Sequence, residues 1–370
     1  MTSELERREQ VKALALALGF DLAGVAEARV TPETRFLREW IARGYAGSMA
    51  YLERRLEERV DPRQLLPGAK SFIVVGLVYD RDAHPAASAG PSRPGGDEAE
   101  TARAQVARYA GGDDYHGLMT DRLEALLSGV EALVGHAIKG RVYVDTGPVL
   151  ERVFAAHAGL GWIGKNTCLI HPRLGSYVFL GVVLTDLSLS ADTPVTDHCG
   201  SCRACLDACP TQAFERAYVL NATRCISYTT IEAPGAIPEE LREAHGDHLF
   251  GCDICQEVCP WNHGRSRELP PDPLGLRERL RQRSEWVRPS LAWVLGLDED
   301  AWRAVTQRTA LRRAKYRGLL RNALVAAGNS GDSGLRPLLE RHAEGPDSLL
   351  ADHARWALAR LPSSARAASA

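Results

Sequence analysis

The sequence predicts a mixed α/β or α+β domain, then a short cysteine-bound segment, then a helical tail. Three observations predict this order. Strand-like apolar runs alternate with helical patterns over residues 1–190, eight of the nine cysteines fall between Cys199 and Cys259, and the chain from about residue 276 is helical in pattern. At roughly 150 residues per domain, 370 residues make two or three domains. An apolar content of 45% with a net charge of −2 excludes wholesale disorder. The same balance excludes a uniformly basic nucleic-acid coat and leaves room for a local basic patch. Apolar runs stop at strand length, short of the ~18 residues of a membrane span, so no membrane partner is expected.

The elements follow in chain order. In the first twenty residues Val11, Leu14 and Leu18 recur at helical spacing and Gly19 stands where a helix stops. This reads as an ordinary first helix rather than an export signal, and the expected location is the cytoplasm. A strand and a second helix lead to a buried strand over 71–79, Ser-Phe-Ile-Val-Val-Gly-Leu-Val-Tyr. Residues 82–105, rich in Ala, Gly, Pro and Ser, read as a surface loop. A helix is expected over 115–134, a strand from Gly140 that ends in the acid Asp145, a helix over 149–160 and a strand over 177–185. No G-x-G-x-x-G opens a helix after a strand, which argues against a classical dinucleotide fold.

The cysteines carry the strongest signal. Cys199-Gly-Ser-Cys202-Arg-Ala-Cys205-Leu-Asp-Ala-Cys209-Pro210 is C-x2-C-x2-C-x3-C-P, the bacterial ferredoxin spacing. Three close thiolates wrap three corners of a cubane, and the fourth sits a turn onward, pointing away. Cys252-Asp-Ile-Cys255-Gln-Glu-Val-Cys259-Pro260 repeats the ending with three cysteines, and Cys225 supplies the fourth. Because the last cysteine of each run serves the other cluster, one 4Fe–4S cluster takes Cys199, Cys202, Cys205 and Cys259. The second takes Cys209, Cys225, Cys252 and Cys255. Zinc is the competing reading, but its sites pair C-x2-4-C knuckles and lack this ordered pattern. Cys168 reads as a small packing residue. A bare ferredoxin needs about 60 residues, so the flanks must hold a reaction centre and a recognition surface.

After Pro260 a linker over 262–275 carries three prolines. Residues 301–322 then hold seven basic side chains and no acid, with Leu319, Leu320, Ala323, Leu324 and Ala327 forming an apolar helical face. Further helical patterns at 335–341 and 348–361 suggest a short HEAT-like stack. A solvated helix face accounts for the basic run in isolation; in a chain of net charge −2 it points to an anionic partner.

Several stretches together resemble one family, the epoxyqueuosine reductases. They are Gly44-Tyr45-Ala-Gly47-Ser-Met49-Ala-Tyr51-Leu52, Arg59-Val-Asp-Pro62, Leu66-Pro67-Gly-Ala-Lys70-Ser71, Arg108-Tyr109 and Asp114-Tyr115-His116. Val144-Asp145-Thr146-Gly147-Pro148, Gly161-Trp162-Ile-Gly164-Lys165-Asn166-Thr167, Gly175-Ser176-Tyr177 and the Arg321-Asn322 pair continue the likeness along nearly the whole chain. The resemblance implies a nitroreductase-like cobalamin domain over 1–190, a ferredoxin-like domain with two 4Fe–4S clusters over 191–265, and HEAT-like repeats that grip tRNA over 276–362. No Asp-x-His-x-x-Gly stretch occurs, in keeping with a cobalamin held without an axial histidine.

By this resemblance the activity is reduction of epoxyqueuosine to queuosine in tRNA, by two-electron removal of the epoxide oxygen. The cobalamin-facing candidates are Arg59, Asp145, Arg152, Lys165, Asn166, Ser227, Cys252 and Asp253. Arg59 suits a phosphate or amide of the corrin tail, with a surface salt bridge as its alternative. Asp145 is the candidate general acid, on the expectation that partial desolvation raises its pKa; a helix cap is its alternative. Arg313, Lys315, Arg317 and Arg321 are the candidate tRNA contacts. The expected partners are tRNA carrying epoxyqueuosine and an external electron donor, with the chain acting as a monomer. The runner-up is a corrinoid reductive dehalogenase or another small-molecule reductase.

Overall fold

Eight consecutive buried residues, Ser71–Val78, set the centre of the first domain. In this computed structural model, which describes residues 3–79, 102–263 and 269–362, they form the second strand of a four-stranded sheet. The strands are β1 (Leu22–Glu27), β2 (Ser71–Val78), β3 (Gly140–Tyr143) and β4 (Val178–Thr185). Their order is β1-β2-β4-β3, and each neighbouring pair is antiparallel. The mixed helix–sheet expectation therefore resolves as α+β. An antiparallel sheet usually wets one face and alternates polar with apolar. This one is covered on both, which is why 71–79 reads as an unbroken apolar run.

The alternation is still visible in what each side touches. Ile73, Val75 and Leu77 pack with Val11 and Ala15 of helix α1 (Glu4–Ala17) and with Leu123 and Leu126 of α2 (Tyr115–Val134). Phe72 and Val74 face the other way, onto Phe154 and Ala155 of α3 (Glu151–His157). Each such side chain contributes roughly 1.5–3 kcal/mol by leaving water. Helix α1 opens on a capping box: Glu6 N–H donates to Ser3 Oγ and Ser3 N–H donates to the Glu6 carboxylate. Helix α2 starts at the Asp114 cap and stops at Gly135, where φ is 73°. Strand β3 ends at Tyr143, so Asp145 lies beyond the strand in the following turn rather than at its tip. Of the expected 82–105 loop, residues 82–101 lie outside the described residues, as do 264–268 of the linker.

The tail gathers α4 (Lys315–Ser330), α5 (Arg336–Ala343) and α6 (Ser348–Arg360) around Trp286, Leu291, Val294, Leu320 and Leu324. Ala104, Ala110, Leu249 and Phe250 join that same core, which ties the tail to the earlier segments. The basic stretch 301–322 is not one helix. It runs through a helix over Glu299–Val305, a 3-10 turn over Ala310–Ala314 and the start of α4, with positive φ at Arg308 and Lys315. Among the described residues no helix is long and apolar enough to cross a membrane.

The structure corrects one candidate tRNA contact. Arg321 is 1% exposed, and its guanidinium donates to the carbonyls of Thr229, Ala233 and Gly235 and to Asn322 Oδ1. Asn322 Nδ2 in turn donates to Thr230 O and Leu249 O, both at 2.8 Å. The Arg-Asn pair thus staples α4 to the cysteine-bearing segment, and Arg321 has no face left for RNA. Burial pulls its pKa down to about 10, with the nearby Arg317 charge adding to the shift.

Truncating Arg321 leaves buried carbonyls without donors, each costing about 1–3 kcal/mol. Arg321→Met is therefore expected to destabilise by more than about 3 kcal/mol. Arg317→Ala, which breaks an exposed pair with Asp347, is expected to cost less than about 1 kcal/mol. Urea unfolding followed by circular dichroism compares the two; equal midpoints would remove the staple from the account.

Candidate active site

A cavity of about 380 Å³ opens between the sheet, the turn after β3 and the cysteine segment. Val178, Phe179 and Leu180 of β4 form one wall, with Tyr79, Tyr109 and Tyr115 beside them. Tyr115 stacks on Phe179 at 4.0 Å between ring centres, which fixes the first turn of α2 against the sheet. Of the cobalamin-facing candidates, Asp145, Arg152, Asn166, Ser227, Cys252 and Asp253 line this space. Asp253 is buried and accepts a hydrogen bond from Arg108 N–H at 2.7 Å.

Arg59 and Lys165 do not line it. Arg59 is buried beneath the Asp145 turn, where Nη1 donates to Gly147 O at 3.1 Å and Nε has no hydrogen-bond partner. Lys165 Nζ points the other way and donates to Gly200 O at 2.6 Å and Cys202 O at 2.8 Å. It therefore clamps the loop of the first cysteine run.

The cysteines fall into two sets in space. Cys209, Cys225, Cys252 and Cys255 line the large cavity. Cys199, Cys202, Cys205 and Cys259 line a second, smaller space of about 40 Å³. Asn166 borders both. Trp162 and Trp261, edge to face at 5.0 Å, shelter the smaller space together with buried Cys259. Burial pushes the Cys225, Cys252 and Cys259 thiols up, and burial with three neighbouring thiols pushes Cys205 to about 11. Thiolates gathered this closely repel one another, and cations among them remove that cost. Among the described residues no three His, Cys, Asp or Glu side chains converge as around a single metal ion. Cys168, read from the sequence as packing, is half-buried on the cavity wall, which Cys255 also lines.

Asp145 sits at φ 57°, a left-handed conformation that Asp tolerates better than most residues. Its backbone N–H donates to Glu151 Oε1 at 2.7 Å. Gly147 follows because a Cβ there would lie 2.3 Å from the Tyr143 ring. The Asp145 carboxyl receives Tyr115 Oη at 3.0 Å and faces His116 Nε2 at 3.6 Å. His116 Nδ1 lies 2.7 Å from Asp114 Oδ1.

This geometry corrects the expected raised pKa of Asp145. The facing His116 lowers it against partial desolvation in the cleft, with Tyr115 and Arg152 helping. The raised carboxyl is Glu151, pushed to about 8 by burial and the Asp145 charge. His116 rises to about 9 because its hydrogen bond to Asp114 and the facing Asp145 carboxylate outweigh its burial. Sequence reasoning assigned no role to Glu151 or His116. The available signal was the Asp114-Tyr115-His116 stretch itself.

On the tail, Arg313 makes a two-pronged pair with Glu232 at 3.0 and 2.8 Å, and Arg317 one with Asp347 at 2.6 and 2.8 Å. Lys315 and Arg312 are exposed.

Comparison with known proteins adds the family. Residues 59–146 match the family model described as epoxyqueuosine reductase QueG, DUF1730, and residues 198–262 match the 4Fe-4S double cluster binding domain. The chain is 39% identical over 359 residues to the epoxyqueuosine reductase of Xanthomonas campestris, covering 95% of each chain. It is 37% identical over 356 residues to that of Escherichia coli K12, covering 95% of this chain and 89% of the other. Among solved structures, an epoxyqueuosine reductase holding a tRNA-Tyr epoxyqueuosine-modified stem loop superposes with a TM-score of 0.83 at 30% identity, over 95% of this chain and 89% of that one. A Bacillus subtilis epoxyqueuosine reductase, solved with its aspartate-bearing catalytic loop swung out of the active site, gives 0.82 at 30% identity, covering 97% and 91%. The cysteine segment and the sheet domain with its cavity thus sit in one recognised frame, and the chain belongs to the epoxyqueuosine reductase family.

Proposed function

We propose that this chain reduces epoxyqueuosine to queuosine in tRNA, with electrons passing through two 4Fe–4S clusters and a cobalamin in the large cavity. The observation that carries the reading is the cavity itself, which has Asp145 on one wall and Cys209, Cys225, Cys252 and Cys255 on another. A proton source and an electron-relay site therefore face the same space. The family relation favours this substrate over those of a dehalogenase or other small-molecule reductase. The tRNA substrate places the work in the cytoplasm, and an external one-electron donor, reaching the smaller cysteine set, completes the chain of transfer.

The residues fit the implied cofactors. Two sets of four thiols match two cubanes, with Cys199, Cys202, Cys205 and Cys259 holding one and Cys209, Cys225, Cys252 and Cys255 the other. Such clusters pass electrons singly. The buried, partnerless Arg59 Nε beneath the Asp145 turn suits an acceptor oxygen on a corrin side chain. Arg152, Asn166, Ser227, Asp253 and the backbone at Cys252 border the corrin space. Bound there, cobalamin would supply a redox-active cobalt centre with nucleophilic character towards carbon. Asp145 Oδ2 holds the proton that meets the departing oxygen. Val178, Phe179 and the tyrosines keep water from the reacting carbons. In this reading residues 1–190 form the nitroreductase-like cobalamin domain, 191–265 the cluster domain and 276–362 a HEAT-like tRNA grip. Lys315, with Arg313 and Arg317 beside it, meets RNA phosphate, and the chain works as a monomer.

Three outcomes are expected. Anaerobically prepared protein should contain about eight irons; Cys225→Ala should lose or damage one cluster and Cys168→Ala should keep both. Stoichiometric zinc with little iron would sink the cluster assignment. Arg312→Glu with Lys315→Glu, at exposed positions holding no carboxylate partner among the described residues, should weaken tRNA binding. It should also flatten the salt dependence of binding, since each phosphate contact adds about one to the logarithmic salt slope; unchanged affinity at low salt returns this surface to a solvated face. Asp145→Asn should keep iron, cobalamin and tRNA affinity while single-turnover reduction falls ~10²–10⁴-fold. A near-wild-type rate would leave Asp145 as a turn residue.

A further inference from the structure

Epoxide deoxygenation consumes two protons. Both carbon–oxygen bonds of the ring break, two electrons enter from a reduced one-electron carrier, a carbon–carbon double bond forms and the oxygen leaves as water. One carboxyl brings one proton at most, and Asp145 is held on the ionised side by the facing His116 and the Tyr115 hydroxyl. A second group must charge it, twice per turnover.

We propose that His116, held by Asp114, is the proton-supplying partner that recharges Asp145, so that His116 acts through Asp145 rather than on the substrate. This rests on the proton-donor reading of Asp145 given above. The three side chains form a line: Asp114 Oδ1 lies 2.7 Å from His116 Nδ1, and His116 Nε2 lies 3.6 Å from Asp145 Oδ2. With Nδ1–H donated to Asp114, the imidazolium directs its other proton at the Asp145 oxygen. The ring is stacked on Tyr115 at 4.1 Å between centres, and Tyr115 is itself fixed on Phe179. His116 is therefore a rigid donor, while Asp145 rides on a turn with left-handed φ. A small swing of that turn closes 3.6 Å to hydrogen-bond range.

The charges around the ring support the assignment. From its own helix and cap it faces Tyr115 and Asp114, from the turn Asp145, and from α3 Glu151, while Arg152 acts on Asp145 and Glu151. Tyr109, Tyr51 and Arg313 act on the Asp145 end. Asp114 and Asp145 outweigh burial and keep the ring protonated up to about pH 9. The Asp114 and His116 side chains are 41% and 31% exposed, so water can return the proton after each transfer. Asp145 is 66% exposed at the other end of the line. Glu151 is the competing reservoir, but its Oε1 is tied to the Asp145 backbone N–H rather than to the carboxyl.

The test is single-turnover reduction of epoxyqueuosine-tRNA by the fully loaded enzyme, measured from pH 6 to 10. His116→Gln should keep iron, cobalamin absorbance and tRNA affinity, slow the reaction ~10²-fold or more, and regain rate with added imidazole. Asp114→Asn keeps the helix cap, since Asn caps as well as Asp, but removes a charge that holds the proton on His116. Activity lost as pH rises through the histidine pKa should then be lost at lower pH. That displacement decides the matter even if His116→Gln does not fold. Wild-type rates and an unmoved alkaline limb in these variants overturn the relay, as does an alkaline limb abolished by Glu151→Gln and not by His116→Gln. A wild-type rate in Asp145→Asn retires the proton-donor reading itself, whereas a slow Asp145→Asn beside a wild-type His116→Gln retires only the relay.

Discussion

Eight thiols packed into two small spaces are the constraint on which the rest of this molecule depends. Several of them resist ionisation: burial and neighbouring sulphurs push Cys205 to about 11 and raise Cys225, Cys252 and Cys259. The chain holds them together through contacts that do not involve the sulphurs. Lys165 ties down the carbonyls of Gly200 and Cys202, Asn166 reaches Cys255 O at 3.2 Å, and Asn262 bonds Ser176 and Gln256 O. The Gly164–Leu169 stretch of the sheet domain thereby becomes the partition between two sulphur sets, and the cavity wall is built from the same residues. Cofactor loading and shape of the active cavity are consequently one problem.

The second feature is the division of protons among neighbouring acids. Asp145 and Glu151 are joined by a single backbone bond, yet their pKa values move in opposite directions. Glu151 is half-buried without a cationic hydrogen-bond partner, while Asp145 faces His116 and Tyr115. Two carboxyls that close cannot both ionise cheaply, so stabilising the charge on Asp145 keeps the proton on Glu151. The protonated Glu151 still accepts the Asp145 N–H, which holds the turn at positive φ. Arg59 completes the turn from below through Gly147 O. The turn is thus supported by hydrogen bonds on both sides while its carboxyl stays open to the cavity.

How much of this was legible in the sequence depends on whether the information was local. The strands at 71–78 and 178–185 and the helix Tyr115–Val134 are written in apolar runs, an Asp cap and a terminal glycine, and all appear where expected. The two cysteine sets also follow from spacing, because a thiol two or three residues from its neighbour has few places to go. The proton network is not local. His116 meets Asp145 across 29 residues only because the turn after β3 adopts a left-handed φ, and nothing in Asp-Thr-Gly says which way that carboxyl will face. The direction of its pKa shift failed for the same reason: desolvation is readable from a strand end, the partner that reverses it is not.

The basic tail shows the opposite error, in which a local pattern is real but misassigned. Seven cations without an acid read as one surface, yet the chain bends at Arg308 and Lys315 and spends those cations in different ways. Arg313 and Arg317 are paired with Glu232 and Asp347, acids from outside the run. Arg321 lies within Leu319–Gly328, ten consecutive buried residues of α4, so the apolar face predicted for that helix is a whole circumference. A guanidinium enters such a place only if its donors are met, and the carbonyls of Thr229, Ala233 and Gly235 meet them. Those carbonyls lie four to ten residues after Cys225. The staple therefore fixes the tail relative to the second sulphur set, and any RNA held on Lys315 is held at a defined distance from the cavity. A charge that looked like a phosphate contact instead sets the geometry between the tail and the cavity.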